Sequence, residues 1–350
     1  MTVSEIRTPK TQKASWGTSL QVSDDLWRLR LRNPNTGGRD RIIVNTYVYA
    51  GADTLAVIDP GWPSTVDHLE AALAELGLAR DLADVDYWLY THAHIDHMGA
   101  AALLEKRSKA PHIAAKSLTP FCPKWHRFQD EIHDWRPWIQ EAFASPHRER
   151  LLAARQHHGL LETHGPAALT RTEFIDFGER IQIGDLNLEF VDARGHDPHH
   201  GAFFERERGW LFSGDVILAV PTPICRSMHD DLDAYRGSIA RLAALPASLI
   251  LPGHGLHRRN SKDQPFEQLF ERSLKYVSDF EKITRHTLSQ ATAPLDLYEI
   301  AIRSTPEQKI LEPEARWWVH MALIDSHLAT LVEHGFATRV EGPSGPLYHV

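Results

Sequence analysis

The chain has 350 residues and a formal net charge of −8, with 46 Asp and Glu against 38 Lys and Arg. This length allows a sizeable core plus an accessory domain, and the acidic balance gives no overall attraction for nucleic acid or an anionic membrane. The two cysteines form no C-x-x-C motif, the N-terminus lacks the apolar core of a secretory signal, and no apolar run reaches membrane-spanning length. We therefore expect a cytoplasmic protein with residues 1–15 as a loose tail.

Two groups of apolar runs predict strands. The first group, with a helix over 64–76, consists of Leu26–Leu31, Ile42–Tyr49, Thr54–Ile58, Val85–Tyr90 and Pro111–Ala115. The second group, with a helix over 232–245, consists of Phe174–Ile175, Arg180–Ile183, Leu186–Val191, Ala202–Glu205, Trp210–Phe212 and Leu249–Leu251. Strands accompanied by helices in this way indicate one α/β domain over residues 16–260.

The segment from residue 117 to residue 170 interrupts the strand pattern and is rich in aromatic residues. We interpret it as a helical insertion. One reading makes it a lid whose rings, Trp125, Trp135 and Trp138 foremost, line an apolar acyl pocket. The other reading has these rings bury the insertion against the sandwich or against a second subunit. The sequence leaves both readings open.

Residues 261–350 predict a small C-terminal domain, with helices over 266–284, 297–302 and 316–334 followed by a hairpin of 336–340 with 347–350. This part holds nine Lys and Arg against thirteen Asp and Glu. A domain that binds nucleic acid should show a basic surface instead. We therefore expect it to pack against the main domain, to close one side of the active site, or to form a homodimer.

One short motif carries most of the chemical information. Three imidazoles and one carboxylate occur within six positions, between an apolar strand and a helix, in Thr91-His92-Ala93-His94-Ile95-Asp96-His97-Met98-Gly99. Imidazole and carboxylate are the usual ligands of Zn²⁺ and similar divalent ions. A turn between a strand and a helix can direct these side chains at one point, so the motif predicts a metal site.

Three further ligand-type residues each stand beside glycine, just after an apolar run. They are His196 after Gly195, Asp215 after Gly214, and His254 after Gly253. Glycine lets the backbone turn sharply and approach other groups closely. Each pair alone is a common turn, but together with the first motif they indicate a larger ligand set.

The first motif resembles the T-H-x-H-x-D-H signature of the metallo-β-lactamase superfamily, and the three later pairs match its later motifs in order. The resemblance implies an αββα sandwich in which two sheets pack face to face and loops at one edge hold two metal ions. It implies that His92, His94 and His196 bind the first ion, that Asp96, His97 and His254 bind the second, and that Asp215 bridges them. The ions would be Zn²⁺ first of all, although Mn²⁺ and Fe²⁺ suit the same ligands. A hydroxide bridging the ions would be the nucleophile, with Asp96 and Asp215 as catalytic residues.

The third motif departs from the family pattern G-H-T-P-G-H. Asp197 stands in place of the hydroxyl residue and His199 in place of glycine. These two residues either reshape the rim, add a group for proton transfer, or belong to an ordinary polar loop. Asp59 matches a family position that orients a ligand imidazole, and its alternative role is to cap the following helix.

The C-terminal pattern of helices and a hairpin resembles the winged-helix tail of the β-lactamase-like-protein-2 branch. That branch leaves two main functions open. The preferred one is a metal-dependent hydrolase of a small-molecule thioester, lactone or carboxylic ester. The alternative is an endoribonuclease, which would need a basic groove that the sequence does not show. A flavin- or sulfur-linked oxidoreductase is the third and weakest alternative, since the chain has the full ligand set and no flavodoxin-like domain.

Overall fold

The computed structural model of the chain describes residues 11–33, 43–133, 136–142, 148–149, 152, 168–218, 232–304, 315–343 and 345–350. Everything below refers to these residues. Trp135 and Cys225, which figured in the sequence analysis, lie outside them.

The first sheet has eight strands in sequence order, β1 to β8. Its first five strands pair antiparallel and its last four pair parallel, so that β5 takes part in both arrangements. The strands are β1 Thr11–Ala14, β2 Gly17–Ser23, β3 Leu26–Leu31, β4 Asn45–Ala50, β5 Leu55–Ile58, β6 Tyr87–Leu89, β7 His112–Ala115 and β8 Thr172–Ile175.

The second sheet has six strands in the order β14-β13-β12-β11-β10-β9. Only β12 and β13 pair in parallel, because a helix connects them. The strands are β9 Arg180–Ile183, β10 Leu186–Asp192, β11 Gly201–Glu205, β12 Trp210–Gly214, β13 Leu249–Pro252 and β14 Arg258–Arg259. A separate two-stranded sheet joins β15 Thr338–Gly342 to β16 Gly345–His349.

The α-helices fall into three sets along the chain. Those near the first sheet are α1 Val66–Glu75, α2 Ile95–Met98 and α3 Ala101–Arg107. The insertion contributes α4 Trp125–His133 and α5 Arg136–Ala142. The remainder are α6 Leu232–Ala243, α7 Phe266–Ser289, α8 Leu297–Arg303 and α9 Ala315–Glu333.

Three hydrophobic cores hold these layers together. The largest lies between the two sheets, where the rings of Tyr47 and Phe212 meet edge to face with centroids 5.4 Å apart, and it continues under the helices beside the first sheet. A second core lies between the outer face of the second sheet and helices α6 and α7. The third core joins α5 of the insertion to α8, α9 and the terminal hairpin. Because apolar side chains alternate along β12, Phe212 belongs to the first core and Leu211 to the second.

The structure corrects the sequence-based boundaries in two places. The loose tail predicted for residues 1–15 is wrong for 11–14, which form β1 and pair with β2. The sequence analysis also missed β2 and the two-residue strand β14. The division of the chain at residue 260 into two domains stays a prediction. None of the helices in the described part of the chain combines the length and the apolar character needed to span a bilayer.

Candidate metal centre

The seven residues predicted as metal ligands lie together at one edge of the two sheets. Four chain segments carry them: the turn after β6, the loop between β10 and β11, the end of β12 and the turn after β13. Three overlapping groups of these side chains have donor atoms within 4.8 Å of one another: His92 with His94 and His196, His92 with His97 and Asp215, and Asp96 with His97 and His254. The fold thus brings together residues up to 162 positions apart (92 to 254).

The first group is made of nitrogen donors alone. His94 Nδ1 lies 3.0 Å from His92 Nε2 and 3.1 Å from His196 Nε2. Two ligands bonded to one Zn²⁺ at about 2.0–2.1 Å can be at most about 4.2 Å apart. The three imidazoles therefore have separations that a single divalent ion requires.

The second group mixes nitrogen with carboxylate oxygen. Asp96 Oδ2 lies 3.1 Å from His254 Nε2 and 3.8 Å from His97 Nε2. Asp96 stands in the first turn of the short helix α2, which turns it and His97 toward the same point. Carboxylate with imidazole suits Zn²⁺, Mn²⁺ and Fe²⁺.

Asp215 faces both groups. Its Oδ2 lies 3.6 Å from His196 Nε2 in the first group and 3.2 Å from His254 Nε2 in the second. Its Oδ1 lies 3.5 Å from His97 Nε2. A carboxylate in this position can share its two oxygens between two cations, which is the bridging role expected from the sequence.

Hydrogen bonds on the far side of the rings leave the inward nitrogens available to a cation. His97 Nδ1 donates to Asp59 Oδ2 over 2.9 Å, and His254 Nδ1 donates to the carbonyl oxygen of Ile43 over 3.1 Å. His97 Nε2 and Asp215 Oδ1 are buried and have no hydrogen-bond partner in the described structure. Buried polar atoms are normally paired, so this donor set fits a bound divalent cation.

Asp59 orients the first motif as a whole. Its Oδ1 accepts from the Thr91 backbone N–H and its Oδ2 accepts from the Thr91 hydroxyl, both over 2.8 Å. Since the Thr91 hydroxyl gives its only proton to Asp59, it accepts from His92 Nδ1, 3.0 Å away, which leaves His92 Nε2 free of a proton. The backbone of Asp59 has φ 52°, an uncommon conformation outside glycine. The predicted contact between Asp59 and a ligand imidazole is confirmed by its bond to His97.

Two of the glycines beside the ligands are required by close approach. A Cβ at Gly253 would stand 2.3 Å from Asp215 Oδ1, and a Cβ at Gly214, where φ is 49°, would stand 2.4 Å from His200 Nε2. Neither site has room for a side chain. This explains why ligand-type residues stand beside glycine in the sequence.

The two groups differ in the direction in which the pKa values of their histidines are shifted. Burial lowers the pKa of His97, but the carboxylates around it outweigh burial and hold that pKa well above its usual range. Burial likewise lowers the pKa of His254, but Asp215 and Asp96 outweigh burial and raise that pKa to about 10. Burial and the neighbouring imidazoles instead hold the pKa of His92 well below its usual range. In the absence of a cation, protons therefore occupy His97 and His254 of the second group in preference to His92 of the first.

The departures in the third motif have distinct surroundings. Asp197 is buried, burial raises its pKa to about 7, and its Oδ2 lies 3.8 Å from His94 Nε2. Its Oδ1 accepts from the His199 backbone N–H over 2.7 Å. His199 Nδ1 is 2.8 Å from the hydroxyl of Ser117, which belongs to the insertion. Neither side chain belongs to the groups that could hold an ion.

Sequence reasoning missed His200. Its ring is buried, stacks on the ring of His92 with centroids 4.6 Å apart, and its Nε2 accepts from the Asp215 backbone N–H over 3.1 Å. His200 thereby contacts His92 of the first group and Asp215, which faces both groups. One of the two usual forms of the family pattern ends in histidine at this position and the other in serine, so the pattern gave only a weak signal, and a polar side chain in a loop gives no sign of a buried contact.

In the described residues, the first half of the insertion contacts His199 at the rim of the metal centre. The rings of Phe121 and Phe128 stack with centroids 4.3 Å apart and both contact the ring of His199. Trp125 is 1% exposed in the core between the sheets, and Trp138 is 7% exposed in the core of the C-terminal helices. The prediction that the tryptophans line an acyl pocket is therefore wrong for Trp125 and Trp138, which are buried by protein.

Known proteins resemble this arrangement. The family model described as the metallo-β-lactamase superfamily matches residues 39–254. The chain is 24% identical over 235 residues to a β-lactamase-like protein 2 homolog from Caenorhabditis elegans, a match that covers 67% of this chain but only 63% of that protein. It is 24% identical over 250 residues to a protein named acyl-coenzyme A thioesterase MBLAC2 from Bos taurus, covering 68% of this chain and 81% of that protein.

A solved structure extends the likeness in fold to nearly the whole chain. The crystal structure of a β-lactamase domain protein from Burkholderia ambifaria has a TM-score of 0.69 and 18% sequence identity, and it covers 96% of this chain and 95% of its own. The αββα sandwich expected from the sequence is confirmed, whereas the winged-helix character of the C-terminal part stays a prediction. The match over most of the sandwich, with the His and Asp cluster at its edge, means that the chain belongs to the metallo-β-lactamase superfamily.

Proposed function

We propose that this protein is a dinuclear metal-dependent hydrolase of small-molecule acyl thioesters, with lactones and other carboxylic esters as the nearest alternative substrates. The observation that carries the proposal is the position of Asp215, whose two oxygens face donor atoms of both groups at 3.2–3.6 Å. A site built for one ion would have no use for the second set of donors.

The distances among the side chains support assigning three of them to each of two cations. His92, His94 and His196 would hold one cation, and Asp96, His97 and His254 would hold the other. Two divalent cations, when bound, supply a Lewis acid for the substrate carbonyl and lower the pKa of a water molecule held between them. Asp215 keeps the two sets at a fixed separation, and Asp59 fixes the rings of His97 and, through Thr91, of His92.

A protein nucleophile is not needed, and the thiol in the described part of the chain does not suit the role. Cys122 is buried, and burial raises its pKa to about 11. A thiol that stays protonated at neutral pH is a poor nucleophile. This favours direct attack by water over a covalent acyl intermediate.

Three observations support an acyl thioester over RNA. A relative carries the name of an acyl-coenzyme A thioesterase. The partly buried ring of Phe121 stands beside His199 at the rim, where it offers apolar surface, and the buried ring of Phe128 stacks on it. Residues 261–350 carry more acidic than basic side chains, which gives phosphates little attraction. We also keep the cytoplasmic location, the C-terminal domain over 261–350 and a homodimer as parts of this proposal.

The test is a substrate panel. Protein purified without chelator is assayed with acyl thioesters, lactones and single-stranded RNA, and the Asp215→Ala protein serves as the control for contaminating activity. We expect thioesters to be cleaved, lactones to be cleaved more slowly, and RNA to stay intact. Cleavage of RNA that depends on Asp215, with every acyl substrate inert, would overturn the proposal in favour of an endoribonuclease.

A further inference from the structure

A cluster of cationic side chains lies between the two sheets, close to the metal centre. Arg28 and Arg30 share one face of β3, opposite Tyr47 and Asn45 of β4 in the register of the sheet. That face is turned toward the second sheet, since the Tyr47 ring contacts Phe212 there. From the second sheet His257 approaches, its Nδ1 3.2 Å from Arg28 Nη1.

Arg259 completes the cluster from β14. It is in register with Leu249, which belongs to the core between the sheets, and its Nη2 donates to the carbonyl oxygen of Val22 over 2.7 Å. Its neighbour Arg258 is in register with Ile250, which belongs to the core under the helices. Arg259 therefore faces the cluster and Arg258 faces away from it.

These arginines have no anionic partner in the described part of the chain. Arg28 is only 6% exposed, yet its contacts are with the Gly255 carbonyl oxygen and the imidazole of His257. The Nε atoms of Arg28 and Arg30 are buried without a hydrogen-bond partner. Burying a charge without a counter-charge is costly. Burial and the charge of Arg30 lower the pKa of Arg28, and burial with the nearby arginines lowers the pKa of His257 to about 4.

The cluster adjoins the loop that carries a predicted metal ligand. Arg28 and Asn45 both donate to the carbonyl oxygen of Gly255, the residue after His254. The backbone N–H of Asn45 donates to the carbonyl oxygen of Gly253 over 2.6 Å. Arg28 is therefore joined by one hydrogen bond to the backbone of the residue that follows the predicted ligand His254.

We propose that Arg28, Arg30 and Arg259 form a binding site for an anionic group, phosphate or carboxylate, on the carrier portion of the thioester substrate. Arg30 is the residue that contacts the anion most directly, because it is half-buried and its side chain gives no hydrogen bond to the described protein. Guanidinium groups bind phosphate and carboxylate with paired, charge-assisted hydrogen bonds. This inference rests on the proposed function and names the chemistry of its substrate.

The experiment compares three thioesters that share one acyl group. Their thiols are coenzyme A, which carries phosphates, glutathione, which carries carboxylates, and N-acetylcysteamine, which is uncharged. The value measured is kcat/KM of each charged thioester divided by kcat/KM of the uncharged one. We expect this ratio to exceed one in the unaltered protein and to fall as NaCl is added.

Two variants separate binding from a general charge effect. Arg30→Gln should lower the ratio about tenfold for the thioester whose anion is recognised, since a hydrogen bond to a charged group is lost. Arg258→Gln removes the same charge from the face turned away and should keep the ratio within about twofold. The carrier whose ratio falls identifies phosphate or carboxylate. Equal responses to the two variants would overturn the anion site.

Stability gives a second readout. The side chain of Arg30 makes no hydrogen bond to the described protein, and its charge repels that of Arg28. Arg30→Gln should therefore leave Tm unchanged or raise it. A lower Tm with equal losses on all three thioesters would make Arg30 a structural residue and overturn the inference. If the unaltered protein cleaves none of the thioesters, the proposed function fails. The anion site is then decided by calorimetry with S-methyl coenzyme A and S-methyl glutathione, where equal affinities for unaltered protein and Arg30→Gln would reject it.

Discussion

Asp59 serves the metal centre without belonging to its ligand groups. Its carboxylate accepts from the Thr91 backbone, the Thr91 hydroxyl and His97 Nδ1 at once. In Asp59→Asn an amide N–H₂ replaces one of the two carboxylate oxygens. If it replaces Oδ2, His97 Nδ1 loses the acceptor that orients its ring. We expect the affinity for the metal at the second group to fall about 10–100-fold, measured by competition with a chromophoric chelator.

The matched control for Asp59→Asn is Asp197→Asn. Asp197 is also a buried carboxylate near a predicted ligand, but it lies 3.8 Å from His94 Nε2, beyond hydrogen-bond distance. Its amide variant should change metal affinity by less than about threefold. An equal loss in both variants would show that burial of charge, and not the orientation of a ring, sets the affinity.

The two carboxylates Asp215 and Asp197 should also differ in hydrolysis. Asp215 faces both donor groups, whereas Asp197 bonds within its own loop to the His199 backbone. We expect Asp215→Ala to lose at least about a thousandfold in kcat/KM and Asp197→Ala less than about tenfold, measured on the best thioester. Circular dichroism checks that both variants fold, and equal losses with intact folding would contradict a bridging role for Asp215.

Among the helices, the contact of α9 with α7 contains an unusual residue. His327 of α9 is fully buried, stacks on Phe280 of α7, and has no hydrogen-bond partner for either ring nitrogen in the described structure. Burial, with the charge of Arg236, lowers its pKa to about 3. The unfolded chain binds a proton below about pH 6.5 that the folded chain excludes, so stability is present above that pH and is lost as pH falls toward 3.

His327→Phe should remove this pH dependence. Between pH 8 and pH 5 the histidine costs the unaltered protein about 2 kcal/mol in the free energy of unfolding, and Phe, which cannot take up a proton, should abolish that part of the loss. Urea unfolding at both pH values measures the difference. His286→Phe, an exposed histidine on α7, is the control and should leave the pH dependence unchanged.

Element by element, the sequence predicted what depends on local pattern. The strands 26–31 and 180–183 match the structure, because alternation and flanking turns define them. The seven side chains that lie together could be named beforehand because the motifs that carry them resemble those of a known superfamily, and their role as ligands stays a prediction. By contrast, β1 and β14 are edge strands whose pairing depends on partners elsewhere in the fold, and the contacts of Arg28 and His200 arise only when distant loops meet.

At the scale of the whole molecule the number of ions is the first quantity to measure. Both donor groups are complete in the structure, so we expect elemental analysis to approach two equivalents of divalent metal per chain at neutral pH. Because protons compete for the second group, where the pKa of His254 is raised to about 10, acidification should release that ion first. A constant value of one equivalent, unchanged by added metal, would contradict a dinuclear centre.

The insertion places a condition on when this protein can become active during its synthesis. Helix α5 follows the part of the insertion that contacts the His199 rim, and its Trp138 donates to Asp325, 187 residues further along the chain. Its core also contains Tyr348 of the final strand. When the insertion leaves the ribosome, these partners have not yet been made. A nascent chain that stops after β14 would carry all seven predicted ligands but would leave Trp138 and Ile139 without the core that buries them. Contacts this distant in sequence form slowly, so maturation of the centre should wait until α8, α9 and β16 have been synthesised.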